Sequence, residues 1–282
     1  MSGLPRLDGF GPLRDRYDGF IIDIWGVLHD GVRPYPGAIE CLKALRAAGK
    51  RIVLLSNAPR RAAAAAAAMV PMGITADLFD DIVTSGEVTH RMLAERREPF
   101  FRSLGRTVYH LGPARDRNLI KGLDLRKVTQ VAEASFVLNT GPDDSRDPTD
   151  MAPFEPELLA AATRHLPMVC ANPDLEVIRG GRRILCAGAL ALRYAQLDGG
   201  PIVWIGKPDP LIYQPVLARL AVPKERILVV GDSLRTDMAG AAAIGVDSCW
   251  VLGGLHGQAA DPEAEARREG VAAIAMIEAF RL

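Results

Sequence analysis

The sequence has no surplus of charge of either sign, with 34 Lys and Arg against 34 Asp and Glu in 282 residues. Nucleic acid and anionic membranes reward a basic surplus, so neither is expected as the main partner. The arginine pairs Arg60-Arg61, Arg96-Arg97 and Arg182-Arg183 are scattered and read as solvated faces. Long hydrophobic runs are also missing. The two longest, Ala62 to Val70 and Ile184 to Leu192, are nine residues each, against the roughly 18 to 20 that a membrane-spanning helix needs. Met1 to Tyr17 has no apolar signal-like core and no lipidation motif, so a cytoplasmic location is expected. Cysteine is scarce. Cys41, Cys170, Cys186 and Cys249 lie far apart with no CxxC pair, which predicts reduced, buried thiols rather than disulfides or zinc. The 27 glycines and 20 prolines fall below the roughly 25 to 30% of low-complexity chains. Two nucleotide signatures fail: no GxGxxG follows a strand, and Gly200 to Lys207 is one residue too long for a P-loop, with Pro208 where Ser or Thr is needed.

What is there is a rhythm of short apolar runs and helical patterns. Gly19 to Ile24 reads as a buried strand, and a helix follows with Pro36 near its start and Gly49 as its stop. Arg51 to Leu55 is the second strand, an alanine-rich helix covers Ala62 to Ala68, and Asp81 to Val83 is a third short strand. From Thr84 the pattern becomes mixed, with strand-like pieces at Thr107 to Leu111, Ser135 to Leu138 and Met168 to Cys170. Gly141 to Pro153 reads as a long exposed loop near a functional surface. After Gly199-Gly200-Pro201 the alternation returns: strands at Ile202 to Ile205, Ile227 to Val230 and Ser248 to Leu252, helices from Pro210 and Arg235, then helical sequence to Leu282. Strands alternating with helices predict an α/β fold, a doubly wound parallel sheet. Residues 1–84 and 202–282 are expected to form this core, and residues 85–201 an inserted domain.

Three expected core strands end in polar residues: Asp23, Ser56-Asn57 and Gly231-Asp232-Ser233. In an open α/β sheet the carboxyl ends of the strands converge on the ligand crevice. Two carboxylates meeting there suit a hard cation, and Mg2+ takes few carboxylates together with substrate phosphate. That is a phosphoryl-transfer site in outline, set against the plainer reading that each polar residue merely ends its strand.

Asp23-Ile-Trp-Gly-Val-Leu28, Leu55-Ser56-Asn57, Gly206-Lys207-Pro208 and Gly231-Asp-Ser-Leu-Arg-Thr-Asp237 resemble, in order and place, the four motifs of the haloacid dehalogenase-like (HAD) hydrolases. The insertion, with Ala171-Asn-Pro-Asp174 and Gly188 to Gly200, is similar to that of class IIA, the branch of NagD-type sugar or nucleotide phosphatases and pyridoxal phosphate phosphatases, whose inserted α/β cap domain is of C2 type. The resemblance implies a Mg2+-dependent hydrolase of small phosphorylated metabolites. It makes Asp23 the nucleophile that forms an aspartyl-phosphate. Ser56 and the Asn57 backbone N–H would hold the phosphoryl group, and Lys207 would neutralise phosphate and nucleophile together. Asp23, the Trp25 carbonyl and Asp232 would ligate Mg2+, with Asp237 supporting the metal from close by. Asn172 and Asp174 would contact substrate, although a bare Asn-Pro-Asp is equally readable as a turn. Similar proteins often pair through their caps, so the resemblance also allows a homodimer.

One position departs from the pattern. The family's phosphatases carry a second Asp two residues after the nucleophile as acid and base, where this sequence has Trp25. Such assistance is typically worth about 10² to 10⁴-fold. Three explanations stay open. His29, Asp30 or a cap residue substitutes, although His29 also reads as loop packing and Asp30-Gly31 as a turn. The substrate has a good leaving group, such as an acyl or aryl phosphate. Or the chemistry is not phosphate-ester hydrolysis: a dehalogenase-like reaction needs no proton at that position, but gives Asp232 and Asp237 nothing to do. A catalytically impaired ligand-binding or regulatory protein is the non-enzyme alternative.

Overall fold

The computed structural model describes residues 4–253, 261–270 and 272–282; the part of the expected C-terminal helical stretch over 254–260 and 271 lies outside them. The chain first lays down β1 (Arg6–Leu7), β2 (Gly19–Ile22), β3 (Arg51–Ser56) and β4 (Asp81–Thr84). It then builds β5 (Thr107–Leu111), β6 (Arg126–Val128), β7 (Phe136–Asn139), β8 (Met168–Cys170), β9 (Glu176–Arg179), β10 (Arg182–Leu185) and β11 (Ile202–Trp204). It returns with β12 (Ile227–Gly231), β13 (Asp247–Val251) and β14 (Ala275–Ile277).

The first and last groups form one seven-stranded sheet, ordered β1-β14-β13-β12-β2-β3-β4, and every pair in it is parallel. The middle group forms a second parallel sheet, β11-β8-β7-β5-β6, and an antiparallel hairpin, β9-β10. Helices cover both faces of the large sheet, which is why its central strands carry apolar residues at successive rather than alternate positions. In β2, Phe20 and Ile22 join one core cluster and Ile21 the other; Ile52 and Leu54 oppose Val53 and Leu55 in β3; Leu228 and Val230 oppose Ile227 and Val229 in β12. The second cluster continues into the smaller sheet through Phe136, Leu138 and Val169, so apolar packing joins the two sheets. Among the described residues, no helix is long and apolar enough to cross a membrane.

Two readings of the sequence need correction. Ile202–Trp204 pairs with β8 in the smaller sheet and not with the core strands, so the second crossing between sheets falls after residue 204. Its apolar character suited either sheet; only the register with Met168–Cys170 decides. The C-terminal stretch is not helical throughout: Pro262–Glu269 is helix, but Ala275–Ile277 is a buried strand beside β13. Three residues in alanine-rich sequence carry no usable period. The hairpin Glu176–Leu185 was also hidden, its half-exposed strands each splitting into an apolar and a charged part instead of an unbroken apolar run.

Candidate active site

The crevice lies at the carboxyl ends of β2, β3 and β12. Asp23 follows β2 directly, its amide still bonded to the Val230 carbonyl of β12 at 2.9 Å. Ser56 closes β3, and Asp232 follows β12. Asp237 lies in a π-helical turn at Leu234–Met238 that follows β12. Its Oδ2 accepts the Ser233 N–H at 3.2 Å. Two glycines make the close approach feasible. A Cβ on Gly231 would lie 2.1 Å from Asp237 Cγ, and one on Gly26, whose φ is +77°, would lie 2.0 Å from Asp232 Oδ2.

Carboxylate oxygens of Asp23, Asp232 and Asp237 all lie within 4.8 Å of one another, and the three side chains are buried. Lys207, 2% exposed, stands between two of them. Its Nζ is 2.8 Å from Asp23 Oδ1 and 2.7 Å from Asp237 Oδ1. Burial works against the lysine charge, but the two carboxylates hold its pKa well above the usual range. Burial likewise pushes the Asp23 carboxyl up, and Lys207 pulls it back. Three buried carboxylates with one ammonium leave the ionised site with an excess of two negative charges, a donor set of hard oxygens that fits a divalent cation such as Mg2+.

Lys207 is positioned from both sheets. The chain leaves β11 with the Ile205 amide bonded to the Cys170 carbonyl at 2.9 Å. Asn57 then clamps the turn: its Oδ1 accepts the Lys207 N–H at 2.7 Å, and its Nδ2 donates to the Lys207 carbonyl at 3.2 Å and to Asp174 Oδ1 at 2.8 Å. Asp174 in turn donates its own amide to Asn172 Oδ1 at 2.9 Å. The Asn-Pro-Asp is therefore both a turn and part of the crevice wall. Burial raises the Asp174 carboxyl, against the pull of Lys207 and the Asn57 amide. Every residue expected from the sequence is thus gathered at one crevice: Asp23, Trp25, Ser56, Asn57, Asn172, Asp174, Lys207, Asp232 and Asp237.

Trp25 sits at the mouth, half-buried between two cavities of about 310 and 500 Å3 that both reach Asp23. Its indole meets the His29 ring edge-on, with centroids 5.2 Å apart, and a Cβ on Gly31 would strike it at 2.1 Å. His29 accepts the Gly31 N–H on Nδ1 at 2.9 Å, and burial lowers its pKa to about 4. Asp30 Oδ1 accepts the N–H groups of Val32 and Arg33 at 2.8 and 2.7 Å. His29 Nδ1 and Asp30 Oδ1 thereby shape the loop, while the His29 ring also lines the smaller cavity. Two others were missed. Arg60, expected on a solvated face, lines the smaller cavity together with Asp116 from the turn Ala114–Ile120. Nothing local in the sequence marks either one, because the insertion alone brings them together.

The chain matches a family model described as "Haloacid dehalogenase-like hydrolase" over residues 20–126, and one described as "HAD-hyrolase-like" over 204–274. It is similar to a solved haloacid dehalogenase-like hydrolase from Brucella suis, with 37% identity and a TM-score of 0.84, over 97% of this chain and 99% of that one. It is 28% identical to rat chronophin over 90% of this chain and 83% of that protein. A glycerol phosphate phosphatase from Mycobacterium tuberculosis, solved in complex with magnesium, shares 27% identity at a TM-score of 0.63, over 86% of this chain and 70% of that one.

Proposed function

Since the chain belongs to the haloacid dehalogenase-like hydrolases, we propose that it is a Mg2+-dependent phosphatase of small phosphorylated metabolites that works through an aspartyl-phosphate on Asp23. The observation that carries this is the buried set of Asp23, Asp232 and Asp237 around Lys207. A nucleophilic carboxylate beside an ammonium and a second acidic pair is poised for phosphoryl transfer. The same set disfavours the dehalogenase alternative, which has no use for Asp232 and Asp237.

In this reading Asp23 attacks phosphorus, the bond from phosphorus to the leaving-group oxygen breaks, and water then cleaves the acyl phosphate to return the carboxylate and inorganic phosphate. Lys207 neutralises the incoming phosphate and orients Asp23, while Ser56 and the Asn57 backbone N–H hold the transferred group. Asp23, Asp232 and the Trp25 carbonyl would hold Mg2+, with Asp237 beside them. Bound there, the ion supplies charge neutralisation for the phosphate oxygens. Asn172 and Asp174 bound the crevice where substrate enters. With Trp25 in place of an acid and with His29 and Asp30 engaged in their loop, leaving groups that depart without a proton are favoured: aryl and acyl phosphates ahead of alkyl ones.

The test is phosphate release from p-nitrophenyl phosphate, acetyl phosphate and sugar phosphates, with and without Mg2+, by wild type and Asp23→Asn. Mg2+-dependent turnover and a hydroxylamine-sensitive phosphoryl label, both lost in Asp23→Asn, are expected. Absence of both label and phosphate release across the whole panel would overturn the proposal.

A further inference from the structure

We propose that the insertion carries an anion-binding site of its own, apart from the catalytic crevice, for a small metabolite bearing a phosphate or carboxylate group. The topology of the smaller sheet places it. The strand order is β11-β8-β7-β5-β6 with every pair parallel, so the chain leaves β5 towards β6 on one side and leaves β7 towards β8 on the other. The order therefore reverses between β5 and β7. In an open parallel sheet, the crevice at the carboxyl ends beside such a reversal is where ligands bind.

A cavity of about 520 Å3 lies there. Its floor comes from Tyr109, His110 and Gly112 at the end of β5 and from Thr129 just after β6. Arg117 reaches it from the crossover that follows β5, and Glu157 from the helix Glu155–Thr163 that follows β7. The floor is tightly built. His110 Nε2 is 2.8 Å from Thr140 Oγ1, just beyond the end of β7, and a Cβ on Gly112 would lie 1.8 Å from the same oxygen. One loop separates this cavity from the catalytic one, since Asp143, Asp144 and Arg146 line both. Arg146 fixes that partition. It donates to Asp143 Oδ2 at 2.8 Å, to Glu157 Oε1 and the Pro153 carbonyl at 2.9 Å each, and lies 4.1 Å above the centre of the Phe154 ring.

The charges of the cavity select its occupant. Its acids are already matched: Asp143 and Glu157 share Arg146, and Asp144 is paired with Arg115. Arg117 and Lys127, exposed at the rim, have no ion-pair partner among the described residues. Both act on the floor. Burial first, and then the charges of Arg117 and Lys127, push the His110 ring down to about 4. A phosphate or carboxylate oxygen accepts charge-assisted hydrogen bonds from a guanidinium and an ammonium together. An ammonium-bearing ligand would meet two like charges and find the acids taken, and an apolar one would leave both cations unused. The volume falls in the range of small-molecule sites. The polarity is opposite to that of the catalytic crevice, whose three carboxylates repel an anion until a cation is bound.

Imidazole NMR reads the two sites separately, because His110 lines this cavity and His29 the catalytic one. The protein is titrated in EDTA with inorganic phosphate and, in a second series, with malonate, at constant ionic strength. The His110 signal, assigned by its absence in His110→Gln, is expected to move saturably while His29 stays in place. Two charge-assisted contacts support half-saturation at about 10 mM or below. Arg117→Gln/Lys127→Gln changes only exposed side chains and should weaken the response at least about tenfold, whereas Lys207→Met should leave it intact. A response to phosphate alone assigns a phosphate ligand, and a response to malonate alone a carboxylate. A His110 signal that is unmoved or drifts without saturation in both series, that responds equally in the double variant, or that loses its response in Lys207→Met would overturn the site. No turnover is read, so the outcome is independent of the phosphatase reading.

Discussion

Lys207→Met removes one positive charge from the centre of the site and changes little else in volume. The ammonium is shared by Asp23 at 2.8 Å and Asp237 at 2.7 Å, and all three groups are buried. Taking one partner out of a buried ion pair leaves an uncompensated charge and costs about 3 to 5 kcal/mol. For a chain of this size that is a fall of roughly 10 °C in Tm. The loss should be greatest in EDTA. With Mg2+ the three carboxylates, no longer opposed by an ammonium, bind the cation more tightly; a tenfold gain in affinity returns about 1.4 kcal/mol at saturation. The expected pattern in thermal melts is therefore a larger Mg2+-induced rise for Lys207→Met than for wild type, together with loss of phosphate release. A variant that loses less than about 1 kcal/mol in EDTA, or that gains no more from Mg2+ than wild type does, would refute the electrostatic account of the site.

Trp25→Asp restores a carboxyl two residues after Asp23 and should speed alkyl phosphate hydrolysis by about 10² to 10⁴-fold, while losing the packing on His29 and Gly31 and roughly 2 kcal/mol of stability; an unchanged ratio of alkyl to aryl turnover would count against the missing-acid explanation. Gly26→Ala places a methyl 2.0 Å from Asp232 Oδ2 at a φ of +77°, so Mg2+ affinity measured by calorimetry should weaken at least about tenfold. His29 has a folded pKa near 4, below its ordinary 6.5, because burial disfavours the charged ring. The unfolded chain therefore takes up the proton first, and stability falls as pH drops from about 6.5 towards 4, by up to about 3 kcal/mol from this group. Urea titrations of His29→Gln across that window should show a correspondingly shallower decline, and parallel curves for the two proteins would disprove the assignment.

The core strands were legible because burial on both faces writes an unbroken apolar run, as in Phe20-Ile21-Ile22 and Leu228-Val229-Val230, and because polar residues stand where each run stops. That pattern located Asp23, Ser56 and Asp232 before any resemblance was invoked. Lys207 was different: it follows a strand of the smaller sheet, and only the resemblance pointed to it. Where the pattern misled, the cause is physical. Ile202–Trp204 is as apolar as a core strand, but its sheet is decided by hydrogen-bond register with Met168–Cys170, a long-range pairing that local composition does not encode. Arg60 looked solvated because it precedes Arg61, yet Arg61 pairs with Glu87 while Arg60 turns into the cavity.

Asn57 explains why the insertion and the core cannot be treated as independent parts. One amide group bonds the backbone of Lys207 on both its N–H and its carbonyl and also holds Asp174. Gly206, with φ of +146°, has no room for a Cβ because Asn57 Oδ1 and Pro173 Cδ would each lie 2.5 Å from it. The ammonium that faces Asp23 is thus placed by a core loop on one side and by the β8-β11 pairing on the other. A shift of the smaller sheet at this edge would therefore carry Lys207 away from the nucleophile. The hairpin Glu176–Leu185 follows directly on Asp174, and its Val177 and Leu185 line both cavities beside Trp25.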